Sequence, residues 1–254
     1  MSNDEDRIPT NLRTLRILEV LGNSDRPLTP TEINQELHLP KQTVHRLCST
    51  LEDEGFIIRE INGKRLIPSP RTKNLASGVL YNSRNQIRLR LVMNDIAEKV
   101  QETVNLAVPE ESGMMYLERI ETDWPFRIQL PVGSHVPFHC TASGKTFLAS
   151  LSPSLRKSFV KGMNLSRMTQ NTFVDPDALL DELAIIAKQG YAVDNEEFMD
   201  GMVAVAVPIK DKKSRYCASI AFHAPDQRLS IETAIGRKDF LIEGAKILGG
   251  ELFK

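Results

Sequence analysis

The sequence predicts an α+β protein in two parts joined by helices, on three observations. Near the amino terminus, three short helical patterns lead into two β-rich runs around Asn62-Gly63. From Ser69 to Val100 the pattern is helical again. After Gln101 the hydrophobic period changes to two, with helical stretches interleaved and following.

The first helix is spaced by Leu12, Leu15, Leu18 and Leu21 and closed by Gly22. "LTPTEINQEL" opens the second: Thr29 and Glu32 form a capping box, Pro30 takes the first helical position, and Ile33 and Leu37 share a face. His38-Leu39-Pro40 turns the chain into "KQTVHRLCSTLED", whose apolar face is Val44, Leu47 and Leu51 and which Gly55 ends. That helix is charged backwards. Lys41 and Arg46 come early and Glu52, Asp53 and Glu54 late, against the preference of the helix dipole. "FIIREINGKRLIP" then carries Asn-Gly between two β-rich runs, a strong hairpin signal.

Helix, helix, short turn, helix and hairpin is a winged helix-turn-helix, and it explains the inverted charge. A recognition helix turns its N-terminal residues to the major groove, where acids would face phosphates. Arg pairs bidentately with guanine and Gln with adenine. We therefore expect Gln42, Thr43 and Arg46 at base edges, Lys41 and His45 near the backbone, Thr31 from the preceding helix beside them, and Lys64 and Arg65 on the wing. From Lys41 to Lys73 seven basic residues stand against four acids, a local balance of +3 in a chain whose net charge is −1.

The helical stretch that follows is expected to break near Asn82, where Ser83 and Gln86 make another capping box. Its apolar positions include Leu75, Val79, Ile87, Leu91 and Val100. The stripe Leu75, Val79, Ile87 and Leu91 needs a partner, either this chain or a second subunit. "TVNLAV", "MMYLERIE", "FRIQL", "MVAVAVPI" and "RYCASIAFH" are strand candidates, while "TASGKTFLAS", "DPDALLDELAIIAKQG" and the segment from Ile231 read as helices. Such an order fits an antiparallel sheet with helices at one face or edge. The expected domains are 1–70, the winged helix-turn-helix; 71–101, a helical linker; and 102–254, a domain for effector binding and oligomerisation.

Composition narrows the function classes. With 41% hydrophobic and 26% charged residues the 254-residue chain is globular. No apolar run approaches the roughly eighteen residues of a membrane span, and "MSNDEDR" lacks the apolar core of a signal peptide. Cys48, Cys140 and Cys217 are far apart, which fits reduced thiols in a cytoplasm.

"ASGKT" imitates the end of a phosphate loop, but His139 stands where that loop needs its first glycine. Gly144 instead suits tight packing at a helix start, with the amides of Ala142 and Ser143 free to seat a carboxylate. His135, His139, His223, Asp194, Glu196 and Glu197 show no compact ligand spacing, so no metal and no cofactor are expected. Cys140 beside His139 suggests a nucleophile and base, but strand neighbours point to opposite faces and no orienting third group is evident. An enzyme is not expected. The rival is a metabolite-binding enzyme fused to a DNA-binding module.

The whole chain resembles the IclR family of bacterial transcription regulators, through "LPKQTVHRLCSTLEDEGFI" at one end of the helical stretch and "VGSHVPFHCTASGKTFLA" and "GYAVDNEEFMDGMVAVAVPI" at the other. The resemblance implies a winged-helix reader of double-stranded DNA fused to a GAF-like effector domain, acting as dimers or dimers of dimers on palindromic operators. It also implies a small-molecule effector, an organic acid or a hydroxylated aromatic. At matching positions the effector contacts fall on Ile128 and Val136 as apolar wall, on Ala142 and Ser143, on Asp194, and on Ala204, Ala221 and His223. Ala204 and Ala221 replace small polar residues of some relatives, and His223 is larger and able to carry charge.

Overall fold

The computed structural model describes residues 8–60, 63–81, 85–125, 128 and 130–251. The chain forms two compact units, Met1–Ser83 and Arg84–Lys254.

In the first unit a 3₁₀ turn, Thr10–Leu12, leads into α1 (Arg13–Gly22). Ile17 and Leu21 are the residues α1 buries, while Leu12 and Leu15 are exposed. The reason is geometric: a strict three-residue spacing drifts about 60° around the helix per step, whereas Ile17 and Leu21 lie four apart on one face. In α2 (Pro30–Leu37) the capping box is present, with Thr29 Oγ1 accepting from the Glu32 amide and Glu32 Oε2 accepting from the Thr29 amide. The turn into α3 (Lys41–Asp53) is clamped by Asn34, whose side chain donates to the Leu39 carbonyl at 2.8 Å and accepts from the Leu39 amide at 2.9 Å.

β1 (Ile57–Arg59) and β2 (Leu66–Pro68) pair antiparallel, with Arg59 opposite Leu66. Asn62, expected at the turn, lies outside the described residues. Leu28 bridges Leu66 and adds a third strand-like edge. The core of the unit gathers Ile17, Ile33, Val44, Leu47, Leu51, Ile57 and Leu66.

The segment expected as one linker divides between the units. α4 (Pro70–Tyr81) belongs to the first unit, where Arg71 lies over the Phe56 ring at 4.2 Å and Thr72 Oγ1 donates to the Phe56 carbonyl. α5 (Asn85–Val100) packs into the second. The expected break, Asn82-Ser83, lies outside the described residues. The apolar residues of α5 also separate into two faces. Leu89, Met93, Ile96 and Val100 are buried, whereas Ile87 and Leu91 are 67% and 62% exposed. On α4, Leu75 is 55% exposed, and the side chain of Val79 lies outside the described residues.

The second unit is a six-stranded antiparallel sheet in the order β5-β4-β3-β8-β7-β6. Its strands are β3 (Thr103–Pro109), β4 (Met114–Ile120), β5 (His135–Val136), β6 (Ala192–Asn195), β7 (Met202–Lys210) and β8 (Tyr216–Pro225). Within the candidate strand "FRIQL", Phe126, Arg127 and Gln129 lie outside the described residues, and Ile128 and Leu130 are in no strand.

Helices cover both faces of the sheet, not one. α5, α9 (Ile231–Gly236) and α10 (Lys238–Glu251) pack on Val203, Val205, Val207, Ile220 and Phe222. α6 (Ala142–Ser150), α7 (Pro153–Gly162) and α8 (Pro176–Gln189) cover the other side. β7 therefore reads as a continuous apolar run, yet its two faces differ in size: valines meet α5 and α10, while Ala204 and Ala206 meet Ala142 of α6. Small residues let the start of α6 approach the sheet closely. Gly144 packs against the segment that precedes α6, where a Cβ would stand 2.3 Å from the Phe138 carbonyl oxygen. No helix of the described residues is long and apolar enough to cross a membrane.

Candidate functional site

Two sites were expected, one in each unit. In the first, α3 starts after Pro40 with no side-chain cap, leaving the amides of Lys41 and Gln42 at an open, electropositive helix end. Lys41, Gln42, His45 and Arg46 are exposed and Thr43 is half-buried, while Val44, Leu47, Cys48 and Leu51 face the core. Polar and apolar residues thus separate cleanly on one helix. Glu52 is bound by Arg59 through paired contacts of 2.8 Å, which takes it out of reach as a partner for Arg46. Thr31 is exposed in the first turn of α2.

The two wing cations differ. Lys64 is exposed, but Arg65 turns inward, donating to the Pro27 carbonyl at 2.8 Å and to Glu32 at 3.1 Å. Arg65 therefore latches the hairpin to α2. The Glu32 carboxyl is pulled down to about 2, chiefly by the Thr29 amide and then by Arg26.

In the second unit the start of α6 and the facing strands line a cavity of about 20 Å³. Thr141 caps the helix by accepting from the Gly144 amide, which leaves the amides of Ala142 and Ser143 without helical partners. Both residues line the cavity, as do Asp194 on β6, Ala204 on β7, and Ala221 and His223 on β8. Six of the eight expected contacts thus meet around one space. Val136 and Ile128 do not join them. Val136 is buried in the apolar cluster beneath α6–α8, and the Ile128 carbonyl accepts from Arg119.

The cavity also has walls that the sequence reading missed: Asn105, Tyr116, Phe198 and Met202. Asn105 and Tyr116 were findable in principle. Asn105 is the one amide inside the apolar run "TVNLAV", and a polar residue facing the interior of a sheet usually has something to bind.

Asp194 is fully buried. Its Oδ1 accepts from the amides of Glu197 (2.7 Å) and Phe198 (3.3 Å), while Oδ2 has no hydrogen-bond partner. Burial, and next the Glu197 carboxylate, push its carboxyl up to about 8. His223 Nδ1 meets Asn105 Nδ2 at 2.9 Å, and its Nε2 is buried without a partner. Burial first, then the charge of Arg119, lower the His223 pKa to about 4, and the Ile128 carbonyl offsets only part of this. The expected ability of His223 to carry charge is thus corrected: in this environment the ring is neutral at physiological pH.

Behind the cavity Lys145 is fully buried. It pairs with Glu197 at 2.5 Å and lies 3.6 Å from Glu182. The lysine of the rejected phosphate loop is an internal counter-charge.

His139 and Cys140 are in a bend and not in a strand, so alternation does not separate them. They are kept from acting together by other means. His139 Nε2 is engaged with the Ser166 carbonyl at 2.9 Å, and burial pushes the Cys140 thiol up to about 12. Among the described residues no group of three or more His, Cys, Asp or Glu is placed to hold a metal ion.

Comparison with known proteins agrees in both units. Residues 12–60 match the family model of the IclR helix-turn-helix domain, and residues 81–243 that of the bacterial transcriptional regulator IclR C-terminal. The chain is 37% identical over 225 residues, 89% of each chain, to the Cupriavidus necator protein named probable transcriptional regulator SauR. It is 32% identical over 236 residues to the regulator BhcR of Paracoccus denitrificans, covering 93% of this chain and 84% of the relative. Among solved structures, the Thermotoga maritima IclR superposes with a TM-score of 0.63 at 27% identity, covering 94% of this chain and 97% of that one. An IclR homologue from Microbacterium hydrocarbonoxydans, solved with 4-hydroxybenzoate, superposes with a TM-score of 0.57, also at 27% identity, covering 95% and 98%. With a helix-turn-helix model matched in one unit, the C-terminal model matched across the other and relatives aligned along nine-tenths of its length, the chain belongs to the IclR family of bacterial transcriptional regulators.

Proposed function

We propose that this regulator reads a palindromic operator of a catabolic or metabolic operon with the first turn of α3 and the wing, and that a small organic acid or hydroxylated aromatic binds in the cavity beside α6. The single observation that carries the reading is the cavity itself. It brings two free helix-start amides together with a buried carboxyl and a buried imidazole, each with an unpartnered polar atom. Groups so costly to bury unpaired fit the polar end of a ligand, and the 4-hydroxybenzoate found in the Microbacterium hydrocarbonoxydans homologue supports a small organic acid or hydroxylated aromatic as its class.

A cavity of about 20 Å³ has room for roughly one water, so a metabolite must displace its walls to enter. That displacement supplies what regulation requires, a ligand that prefers one conformation over another. The rival fusion to an enzyme lacks support, because Cys140 is buried with its thiol pushed up to about 12 and His139 is engaged elsewhere.

On the DNA side, Arg46→Ala is expected to cost about 1–3 kcal/mol of specific binding and to relax preference at one or two base pairs. Lys64→Ala should weaken binding to all sequences and reduce its salt dependence. Gel shifts with operator and unrelated DNA at two salt concentrations separate these outcomes, and unchanged affinity in both variants would sink the assignment of this face. Arg65→Ala is expected to act on the stability of the first unit more than on DNA.

Assembly follows from economy of surface. One winged helix buries too little for sharp specificity, so two copies are proposed to read half-sites about 10 bp apart or a multiple of that. Leu75, Ile87 and Leu91 are the exposed apolar residues offered for that contact. Ile87→Glu with Leu91→Glu should convert a dimer into a monomer by light scattering. A wild-type monomer at micromolar concentration, with and without operator, would remove the proposal.

A further inference from the structure

The polar wall of the cavity carries a hydrogen-bond relay across three neighbouring strands. Arg119 on β4 stands directly opposite Asn105 on β3. His223 on β8 is the diagonal neighbour of Asn105, whose direct partner on that strand is Ala221. The Arg119 guanidinium donates to Asn105 Oδ1 at 3.1 Å, and Asn105 Nδ2 meets His223 Nδ1 at 2.9 Å. Arg119 is itself held by Glu121 at 3.2 Å and by the Ile128 carbonyl.

The chemistry of the three groups fixes the direction of the relay. A guanidinium has donors only, so the amide oxygen of Asn105 must face Arg119 and its NH₂ must face the imidazole. Nδ1 therefore accepts, and the single proton of the neutral ring is on Nε2. A second proton, on Nδ1, would set two donors against each other at 2.9 Å. The imidazolium is disfavoured by the same contact. Nε2 is buried with no hydrogen-bond partner, on a residue that lines the cavity, and the Ile128 carbonyl that acts on the ring already accepts from Arg119.

We infer that Asn105, held by Arg119, is a positioning residue that presents His223 to the cavity as a hydrogen-bond donor through Nε2–H, and so selects ligands whose polar end accepts there, a carboxylate or phenolate oxygen, over ligands that donate. This rests on the cavity being the effector site. Asp194 strengthens the selection. With its carboxyl pushed up to about 8 it retains its proton at neutral pH, and its unpartnered Oδ2 adds no fixed negative charge against an anion. The free amides of Ala142 and Ser143 are donors as well. The cavity is a set of donors awaiting an acceptor.

The test uses the full-length protein with ¹⁵N-labelled histidine. Long-range ¹H–¹⁵N correlations identify the tautomer directly, and His223 is expected as the neutral Nε2–H form at pH 7. Asn105→Leu removes the donor to Nδ1 and should bring in the Nδ1–H form. Asn105→Asp, nearly isosteric and still able to pair with Arg119, offers Nδ1 an acceptor and should turn the ring over to Nδ1–H. Calorimetry with 4-hydroxybenzoate, benzoate and pyruvate, each beside its amide, reads the selection. Wild type should prefer at least one acid over its amide by roughly tenfold or more, and both variants should lose most of that preference.

A wild-type His223 found as Nδ1–H or as imidazolium at pH 7 overturns the inference, as does an unchanged preference in both variants. If the tautomer is as expected but no probe binds wild type, the effector-site reading fails and the selection falls with it. A bound probe with the wrong tautomer overturns this inference alone.

Discussion

Replacing Lys145 by methionine is expected to cost about 3–5 kcal/mol of stability in the second unit. The ammonium is fully buried, 2.5 Å from Glu197 Oε1, 3.6 Å from Glu182 and 5.2 Å from the centre of the Phe173 ring. Removing it leaves the Glu197 carboxyl buried with its nearest counter-charge gone, and Asp194, whose Oδ1 is held by the Glu197 amide, shares the loss. Burial already raises the Glu197 pKa against the pull of Lys145, so without the lysine protonation is the remaining escape. The loss should therefore be larger at pH 8 than at pH 5. Combining Lys145→Met with Glu197→Gln should recover most of it, because neither partner is then left charged and alone. The chain has one tryptophan, and Trp124 lies in the second unit, so its fluorescence during urea unfolding reports that unit without the first. Equal losses in the single and double variants would mean that the ion pair is not what anchors α6.

The second large effect is a fall in stability as pH rises, traced to Asp194. Its carboxyl is pushed from an ordinary 3.8 to about 8, by burial first and by Glu197 next. Between those values the folded chain binds a proton that the unfolded chain has lost, so this stabilisation is fully present below about pH 4. It declines by at most about 1.4 kcal/mol per pH unit as pH rises, and is lost once pH passes about 8. The direction is opposite to that of a salt-bridged aspartate. Asp194→Asn, which preserves shape and the hydrogen bonds to Oδ1, should flatten the slope of unfolding free energy between pH 5 and pH 8. Parallel slopes in wild type and variant would show that some other group titrates. The same titration bears on ligand binding, since above about pH 8 an anionic effector would meet a carboxylate and its affinity should drop.

The helix-turn-helix was legible because its elements are local. Lys41 to Arg46 is a run of six residues, and helix periodicity alone puts Gln42 and Arg46 on the side opposite Val44 and Leu47, with Thr43 at the margin, where it is half-buried. The capping box at Thr29 and Glu32 was equally plain, being a contact over three residues. What escaped was everything that closes across the chain. Arg65 looked like a wing cation, but Glu32 lies 33 positions earlier in sequence and nothing local announces their pairing. Leu28 as a partner of Leu66 escaped for the same reason. In α5 a single stripe was read where there are two, because Val100 and Leu91 are both apolar and only the sheet decides which face is covered.

The cavity proposed for the effector shows the same division. From residue types and spacing alone, the sequence determined a helix with its charge inverted after a short turn, a short helix at Ala142 where His139 excludes a phosphate loop, and two alanines in a valine-rich strand. Only the tertiary structure decided that those alanines face the start of α6, that Lys145 is an internal counter-charge, and that Asn105 and Arg119 stand behind His223. The physical reason is that protonation and tautomer are properties of surroundings. His223 is neutral because burial and Arg119 disfavour its charge, Asp194 keeps its proton because water is excluded, and both conditions are created by strands and helices that the chain order separates by up to 118 residues.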